Sequence, residues 1–174
     1  MARVRAEEAL QVAEALKARL AVFCERIEIA GSLRRRRPDV GDIELLVIPR
    51  SQGNLDLLGG AVMRLVFDGV LEYRRNKKGS PMYGPQNKFL LHVASGIAVD
   101  IFSTTEESWS MALVIRTGPK ESNIAIATAA KRKGWRLKAY GDGFDTPNGH
   151  IRCSTEREVF ELVGLPYLEP WERE

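Results

Sequence analysis

Apolar positions near the start of the chain fall at Ala9, Leu10, Val12, Ala13, Leu16, Leu20 and Val22. That spacing predicts a helix over 6–23 with one buried face. Two apolar runs follow, at 26–31 and 42–48, and read as strands, the second stopped by Pro49. Leu57, Leu58, Val62, Leu65 and Val66 predict a helix over 54–69, and 70–75 reads as a strand. A turn-rich stretch, 76–85, precedes two strands at 88–94 and 97–102, joined by Ser95-Gly96 as in a hairpin. Beyond about residue 103 helical periodicity dominates, at 109–116 and 122–133, with Gly134 placed to end the second helix. A short strand over 135–140, a loop or hairpin over 141–149, and a helix capped by Ser154 or Thr155 complete the pattern. The expected fold is α+β. A mixed β-sheet with flanking helices fills residues 1–104, and a small, mostly helical lobe fills 105–174.

Composition narrows the picture only modestly. A chain of 174 residues makes one domain or two small lobes, and 44% apolar content is ample for a core. A net charge of +3 permits a nucleic-acid partner without demanding one. Basic residues cluster at Arg34–Arg37, at Arg74, Arg75, Lys77 and Lys78, and at Lys131, Arg132, Lys133, Arg136 and Lys138. Each cluster alone suits a solvated surface; three together favour a polyanion path. Cys24 and Cys153 lack zinc-site spacing and read as buried or semi-buried thiols in a reducing compartment, which points to the cytoplasm or, for a viral chain, the host-cell interior. No apolar run is long enough to span a membrane, and the N-terminus lacks the apolar core of a secretory signal. His92, His150, Trp109 and Trp135 read as packing or surface residues. Tyr83, in the basic loop, is a candidate for stacking on a base.

The chemistry gathers around Ile27–Ile48. Asp42 and Glu44 are two apart on a strand, so their side chains share a face, about 6–7 Å apart along it. Asp100 interrupts an otherwise apolar strand, Ile97–Phe102, where an unpaired carboxylate would be costly. Three such carboxylates suit two divalent ions acting in nucleotidyl transfer, and an all-oxygen set suits Mg2+, with Mn2+ fitting too. Gly31-Ser32 follows an apolar strand; Gly31 lets the backbone approach a phosphate, and Ser32 and the following amides can donate to it. At least one of Arg34–Arg37 is expected at the triphosphate, with the others facing solvent.

Ala30-Gly-Ser-Leu-Arg-Arg-Arg-Arg37 with Val40-Gly-Asp-Ile-Glu-Leu-Leu46 resembles the palm signature of family X DNA polymerases, within the polymerase-beta nucleotidyltransferase superfamily. Val99-Asp-Ile-Phe102 is similar to that family's third-carboxylate strand. Ala112–Gly118, Lys133–Gly141 and Thr155–Tyr167 resemble its C-terminal lobe, and Arg3–Ala9 resembles the segment leading into the palm. The likeness spans nearly the whole chain. It implies a nucleotidyltransferase palm over 1–104 and a nucleotide- and DNA-binding lobe over 105–174. Asp42, Glu44 and Asp100 would then hold two metal ions, and Asp100 would assist deprotonation of the primer 3′-hydroxyl. Gly31, Ser32, Arg35 and Gly41 would contact the triphosphate, and Gly118 and Asn123 would line the sugar and base. Arg5 is a further candidate for the triphosphate. The implied partners are a nucleoside triphosphate and primer-template or gapped DNA, with no membrane, and the chain is expected to be a monomer.

Three departures stand out. Glu44 replaces the usual aspartate, Ile115-Arg116 replaces an aromatic pair that helps exclude the ribose 2′-hydroxyl, and Ala98 and Ala127 replace polar side chains that touch DNA. Arg116 is therefore a candidate for phosphate or template, and sugar discrimination is expected to be weak. With no helix-hairpin-helix clamp ahead of Arg3, synthesis is expected to be distributive. Three functional classes stay open at this point: a template-directed polymerase filling short gaps in DNA repair, a nucleotidyltransferase acting on RNA ends or a small acceptor, and a catalytically dead nucleic-acid-binding module.

Overall fold

The computed structural model of the chain describes residues 3–53 and 55–173. Strand β1 (Val4–Arg5) leads into helix α1 (Ala6–Leu20), followed by β2 (Cys24–Ile29), α2 (Gly31–Arg34), β3 (Asp39–Val40) and β4 (Asp42–Pro49). Two short strands, β5 (Ser51–Gln52) and β6 (Leu55–Asp56), precede α3 (Leu57–Phe67), β7 (Leu71–Tyr73), β8 (Asn87–His92) and β9 (Ala98–Ser103). Then come α4 (Trp109–Thr117), α5 (Lys120–Arg132), β10 (Arg136–Leu137), β11 (Gly143–Thr146), β12 (Gly149–Arg152) and α6 (Glu156–Glu161).

The main sheet runs β2-β4-β9-β8-β7, with β4 and β9 parallel and the other pairs antiparallel. Strand β4 organises it. Its odd positions, Ile43, Leu45 and Val47, are buried in a core with Ala13, Leu16 and Leu20 of α1 and Leu58, Val62 and Leu65 of α3. Its even positions change character along the strand. Leu46 and Ile48 pack with Phe102, Trp109 and Leu113, so α4 covers that end of the second face. Asp42 and Glu44 occupy the same face at the other end. Burial on both faces explains the near-continuous apolar run 45–48, and the carboxylates mark where the cover stops.

Helix α1 carries Glu7 and Glu8 in its first turn and Lys17 and Arg19 in its last, which complements the helix dipole. Helix α3 starts at Leu57, three residues later than the spacing suggested, because the Asp56 carboxylate accepts from Gly59 N at 2.7 Å and caps it. The remainder of that expectation, Asn54, lies outside the described residues. Strand β2 stops at Ile29 rather than 31, since Gly31 takes φ 61° and opens α2. The C-terminal lobe has its own core of Met111, Val114, Ile126, Phe144, Val159 and Phe160. It is less purely helical than expected: Gly141–Gly149 takes part in an antiparallel β10-β11-β12 sheet, and only Arg136–Leu137 of the 135–140 segment is strand. Thr155 caps α6, its hydroxyl accepting from Glu158 N, while the Glu158 carboxylate accepts from Ser154 N. Cys24 and Cys153 are buried free thiols. Among the described residues no helix is long and apolar enough to cross a membrane.

Candidate active site

Parallel pairing of β4 with β9 places Glu44 directly across from Asp100, and Asp42 across from Ala98. Neighbouring strands lie about 4.8 Å apart, and Asp42 and Glu44 share a face. The backbone thus brings all three sequence-predicted carboxylates to one patch. Burial drives Glu44 up to about 8, reinforced by the charges of Asp42 and Asp100 and opposed by Arg116 and Arg35. Burial likewise lifts Asp100 to about 6, opposed first by Arg74. These arginines offset the crowding only in part, and oxygen-only donors fit Mg2+ or Mn2+.

The side chains themselves are held by other partners. Arg74 Nη2 donates to Asp100 Oδ1 at 2.5 Å, and the Glu44 carboxylate sits against Gly31. Among the described residues no three acidic, imidazole or thiol groups converge as a finished ligand cage. Gly31 is required twice over. Its φ is 61°, and a Cβ there would collide with the Glu44 carboxyl. Ser32, next to it, has a buried hydroxyl oxygen with no hydrogen-bond partner among the described residues. An orphaned buried hydroxyl beside the amides of α2 is the kind of group a phosphate oxygen satisfies.

The arginine turn departs from expectation. None of its side chains simply faces solvent. Arg34 donates to the Thr117 hydroxyl at 2.7 Å and pairs with Glu156 at 2.5 Å. Arg37 donates to the Arg173 carbonyl at 2.7 Å, and the Arg36 guanidinium lies 4.1 Å from the Trp171 ring centroid. The turn therefore docks the C-terminal segment onto the sheet lobe. Partners more than 80 residues downstream could not be read from a local basic run. Arg35 spends Nη1 on the Thr117 carbonyl, leaves Nε buried and unpaired, and lies within reach of the Asp42 and Glu44 charges.

Gly118, at φ 62°, ends α4, and a Cβ there would lie 3.4 Å from Arg35 Nη1. Asn123 donates to the Ile115 carbonyl at 2.8 Å, and its own amide oxygen has no partner among the described residues. Gly41 links β3 to β4 beside Asp42, and Arg5 is exposed on β1, paired across to Asp39. Arg116 stacks over Phe102, 3.6 Å from its ring centroid, with Tyr140 at 5.5 Å. These three residues, with Leu46, Gln86 and Asn87, line a cleft of about 270 Å³ at the C-terminal ends of β4 and β9. Tyr83 does not present a free ring: it packs edge-on to Tyr73 at 5.1 Å, and the buried Lys88 ammonium lies 5.3 Å from it. Trp109 is core, as expected. Arg74 belongs to this site although its sequence context, a basic cluster suited to a solvated surface, gives no local sign that separates it from Arg75.

Comparison with known proteins agrees over the whole chain. A family model described as DNA polymerase beta thumb matches residues 112–174. The chain is 29% identical over 170 residues to the DNA polymerase/3′-5′ exonuclease PolX of Bacillus subtilis, covering 95% of this chain and 28% of that protein. It is 26% identical over 175 residues to Repair DNA polymerase X of African swine fever virus, covering 94% of this chain and 95% of the viral one. The chain therefore spans under a third of the bacterial relative and nearly all of the viral one. Among solved structures, the ternary primer-template complex of Leishmania infantum polymerase beta superposes with a TM-score of 0.79 at 21% identity, covering 99% of this chain and 77% of that one. That likeness fixes the α+β fold with its five-stranded mixed sheet.

Proposed function

We propose that this chain, which belongs to the polymerase-beta-like family X of DNA polymerases, adds nucleotides to a primer 3′-hydroxyl under template direction and fills short gaps. The observation that carries the reading is the β4–β9 register, which sets Glu44 opposite Asp100 with Asp42 on the same face beside Gly31-Ser32. Asp42, Glu44 and Asp100 would hold two divalent ions. Those ions, when bound, supply Lewis-acid activation of the attacking hydroxyl and neutralise charge on the leaving pyrophosphate.

The protein's own residues do the remaining work. Ser32 and the amides at the start of α2 offer donors to the triphosphate, with Arg35 adding positive charge next to Asp42 and Glu44. Asp100, largely buried, is the carboxylate placed to receive the primer hydroxyl proton. Gly118 and Asn123, at the end of α4 and in the first turn of α5, form the wall for sugar and base. DNA lies across the open end of the sheet, with the exposed basic residues Arg75, Lys77, Lys78, Lys131 and Lys133 meeting its backbone. Two relatives solved or named as DNA polymerases, one of them with gapped DNA, support the substrate class.

Gapped duplex, Mg2+ and single nucleotides test the proposal. Template-matched addition is expected, and Asp100→Ala should abolish it while the far-UV circular dichroism stays unchanged. Labelling that ignores the template, or an active Asp100→Ala variant, would overturn it.

A further inference from the structure

The ion pair between Arg74 and Asp100 is unusual in its route. Arg74 stands just past the edge strand β7, and Asp100 lies two strands inward on β9. Phe89 of β8 lies directly across from Asp100, and Arg74 N donates to the Phe89 carbonyl at 3.0 Å. Its carbonyl in turn accepts from Met82 N at 2.8 Å, so the backbone of Arg74 is fixed to the sheet. The side chain then crosses the Phe89 ring, 5.2 Å from the centroid, to reach Asp100 Oδ1 at 2.5 Å. Both partners are largely buried, with side-chain exposures of 17% and 11%. A row of four residues, Arg74, Phe89, Asp100 and Glu44, thus runs across the sheet on one face.

Bringing a guanidinium over a strand into a nearly dry position is costly unless its charge is used. Asp100's own strand offers no cation: the flanking residues on its face are Ala98 and Phe102. Arg74 binds one carboxylate oxygen, and among the described residues no hydrogen bond reaches the other. A carboxylate held by one oxygen can no longer rotate freely, and the second oxygen has a fixed direction.

We propose that Arg74 is a positioning residue for the nucleotidyl-transfer site: it tethers Asp100 by Oδ1, so that Oδ2 alone serves the divalent ion and the primer hydroxyl. This rests on the function proposed above. It makes two demands with opposite signs. Removing Arg74 takes a positive charge away from the carboxylate patch, which strengthens binding of a bare divalent ion. It also frees Asp100 to turn, which slows the chemical step. A merely structural counter-ion would move both together, through loss of fold.

The experiment uses the full chain and Mn2+ alone as probe. Mn2+ binding, without nucleotide or DNA, is titrated by electron paramagnetic resonance for wild type, Arg74→Gln, Arg74→Lys, Asp100→Asn and the Arg74→Gln/Asp100→Asn pair. Arg74→Gln should bind Mn2+ roughly tenfold more tightly, from loss of a unit charge a few ångströms away. Its kcat on gapped DNA should fall about 100-fold, as expected for a misplaced reacting group, with KM for the nucleotide little changed. Arg74→Lys keeps the charge but is shorter and lacks the planar guanidinium that lies over Phe89, so it should retain wild-type Mn2+ affinity with a smaller loss of kcat. In the Asp100→Asn background, where the carboxylate that Arg74 holds is gone, Arg74→Gln should change Mn2+ affinity by less than it does in wild type. Mn2+ affinity that is blind to Arg74, or a kcat that rises in Arg74→Gln, overturns the inference; if Arg74→Gln fails to fold, a wild-type kcat in Arg74→Lys overturns it. A wild-type chain that binds no Mn2+ overturns the parent reading as well, so the two failures are distinguishable.

Discussion

Glu156→Ala is the most informative single perturbation of this fold. The Glu156 carboxylate lies between two guanidiniums from opposite parts of the chain. Arg34 of the sheet lobe reaches Oε1 at 2.5 Å and Oε2 at 2.9 Å, and Arg173 of the C-terminal tail reaches Oε2 at 3.2 Å. Side-chain exposures are 14% for Glu156, 23% for Arg34 and 0% for Arg173. Arg173 also donates from Nε to the Leu168 carbonyl at 2.9 Å, but its Nη1 has no partner among the described residues. Truncating Glu156 therefore leaves one fully buried and one mostly buried guanidinium facing each other. Breaking a buried pair in this way costs about 3–5 kcal/mol. For a chain of this size each kcal/mol moves Tm by about 2–4 °C, so a fall of roughly 6–20 °C is expected. Scanning calorimetry measures the fall, and Trp171 fluorescence reports release of the tail, since the indole stacks under Arg36. Glu156→Leu combined with Arg173→Met should recover much of the loss, because no charge is then stranded. A Glu156→Ala variant within about 2 °C of wild type, with unmoved Trp171 emission, would refute the claim that this carboxylate holds the lobes together.

Three further outcomes follow from the same contacts. His150 is bonded at Nδ1 by Asp145 and at Nε2 by Asp142, which raises its pKa above the ordinary value, so His150→Asn should be less stable than wild type in acid. The raised pKa means that the stabilisation is complete below about pH 6.5 and disappears as pH climbs through the folded-state value; a melting difference growing with pH would contradict this. Gly31→Ala should lose about 1–3 kcal/mol and most incorporation, since the left-handed backbone and the Glu44 carboxyl both oppose a Cβ; paired melting and single-nucleotide insertion measurements check it. With Ile115-Arg116 in place of an aromatic pair, and Arg116 drawn onto Phe102, the preference for deoxyribonucleotides should be no more than about 100-fold. Competing insertion of matched ribo- and deoxyribonucleotides measures that ratio, and a value in the thousands would contradict it.

Most of the chain's elements, and the place of the candidate site on them, were legible before any coordinates. A two-residue period puts Asp42 and Glu44 on one face whatever they pair with. An acidic residue inside Ile97–Phe102 marks a strand whose charge must be answered by something. Gly31 after an apolar strand reads as a point where the backbone can approach a phosphate; its φ of 61° and the Glu44 carboxyl against it are what the structure adds. These are local properties of period, size and polarity, and they survive translation into structure with shifts of a few residues at the ends. The assignment of charges to partners was not local. Arg34–Arg37 read as a run with at least one side chain for the triphosphate and the others in solvent, yet Arg34 and Arg37 are taken up by Glu156 and the Arg173 carbonyl, and Arg36 by the Trp171 ring. Arg74 read as surface, yet it crosses a strand to Asp100, while its neighbour Arg75 stays exposed. A guanidinium on a long flexible stem can meet any carboxylate that folding brings within its reach, so its partner is fixed by topology and register. The order of residues along the chain settled where the carboxylates lie on their strands; only the packed lobes decided which arginines hold them.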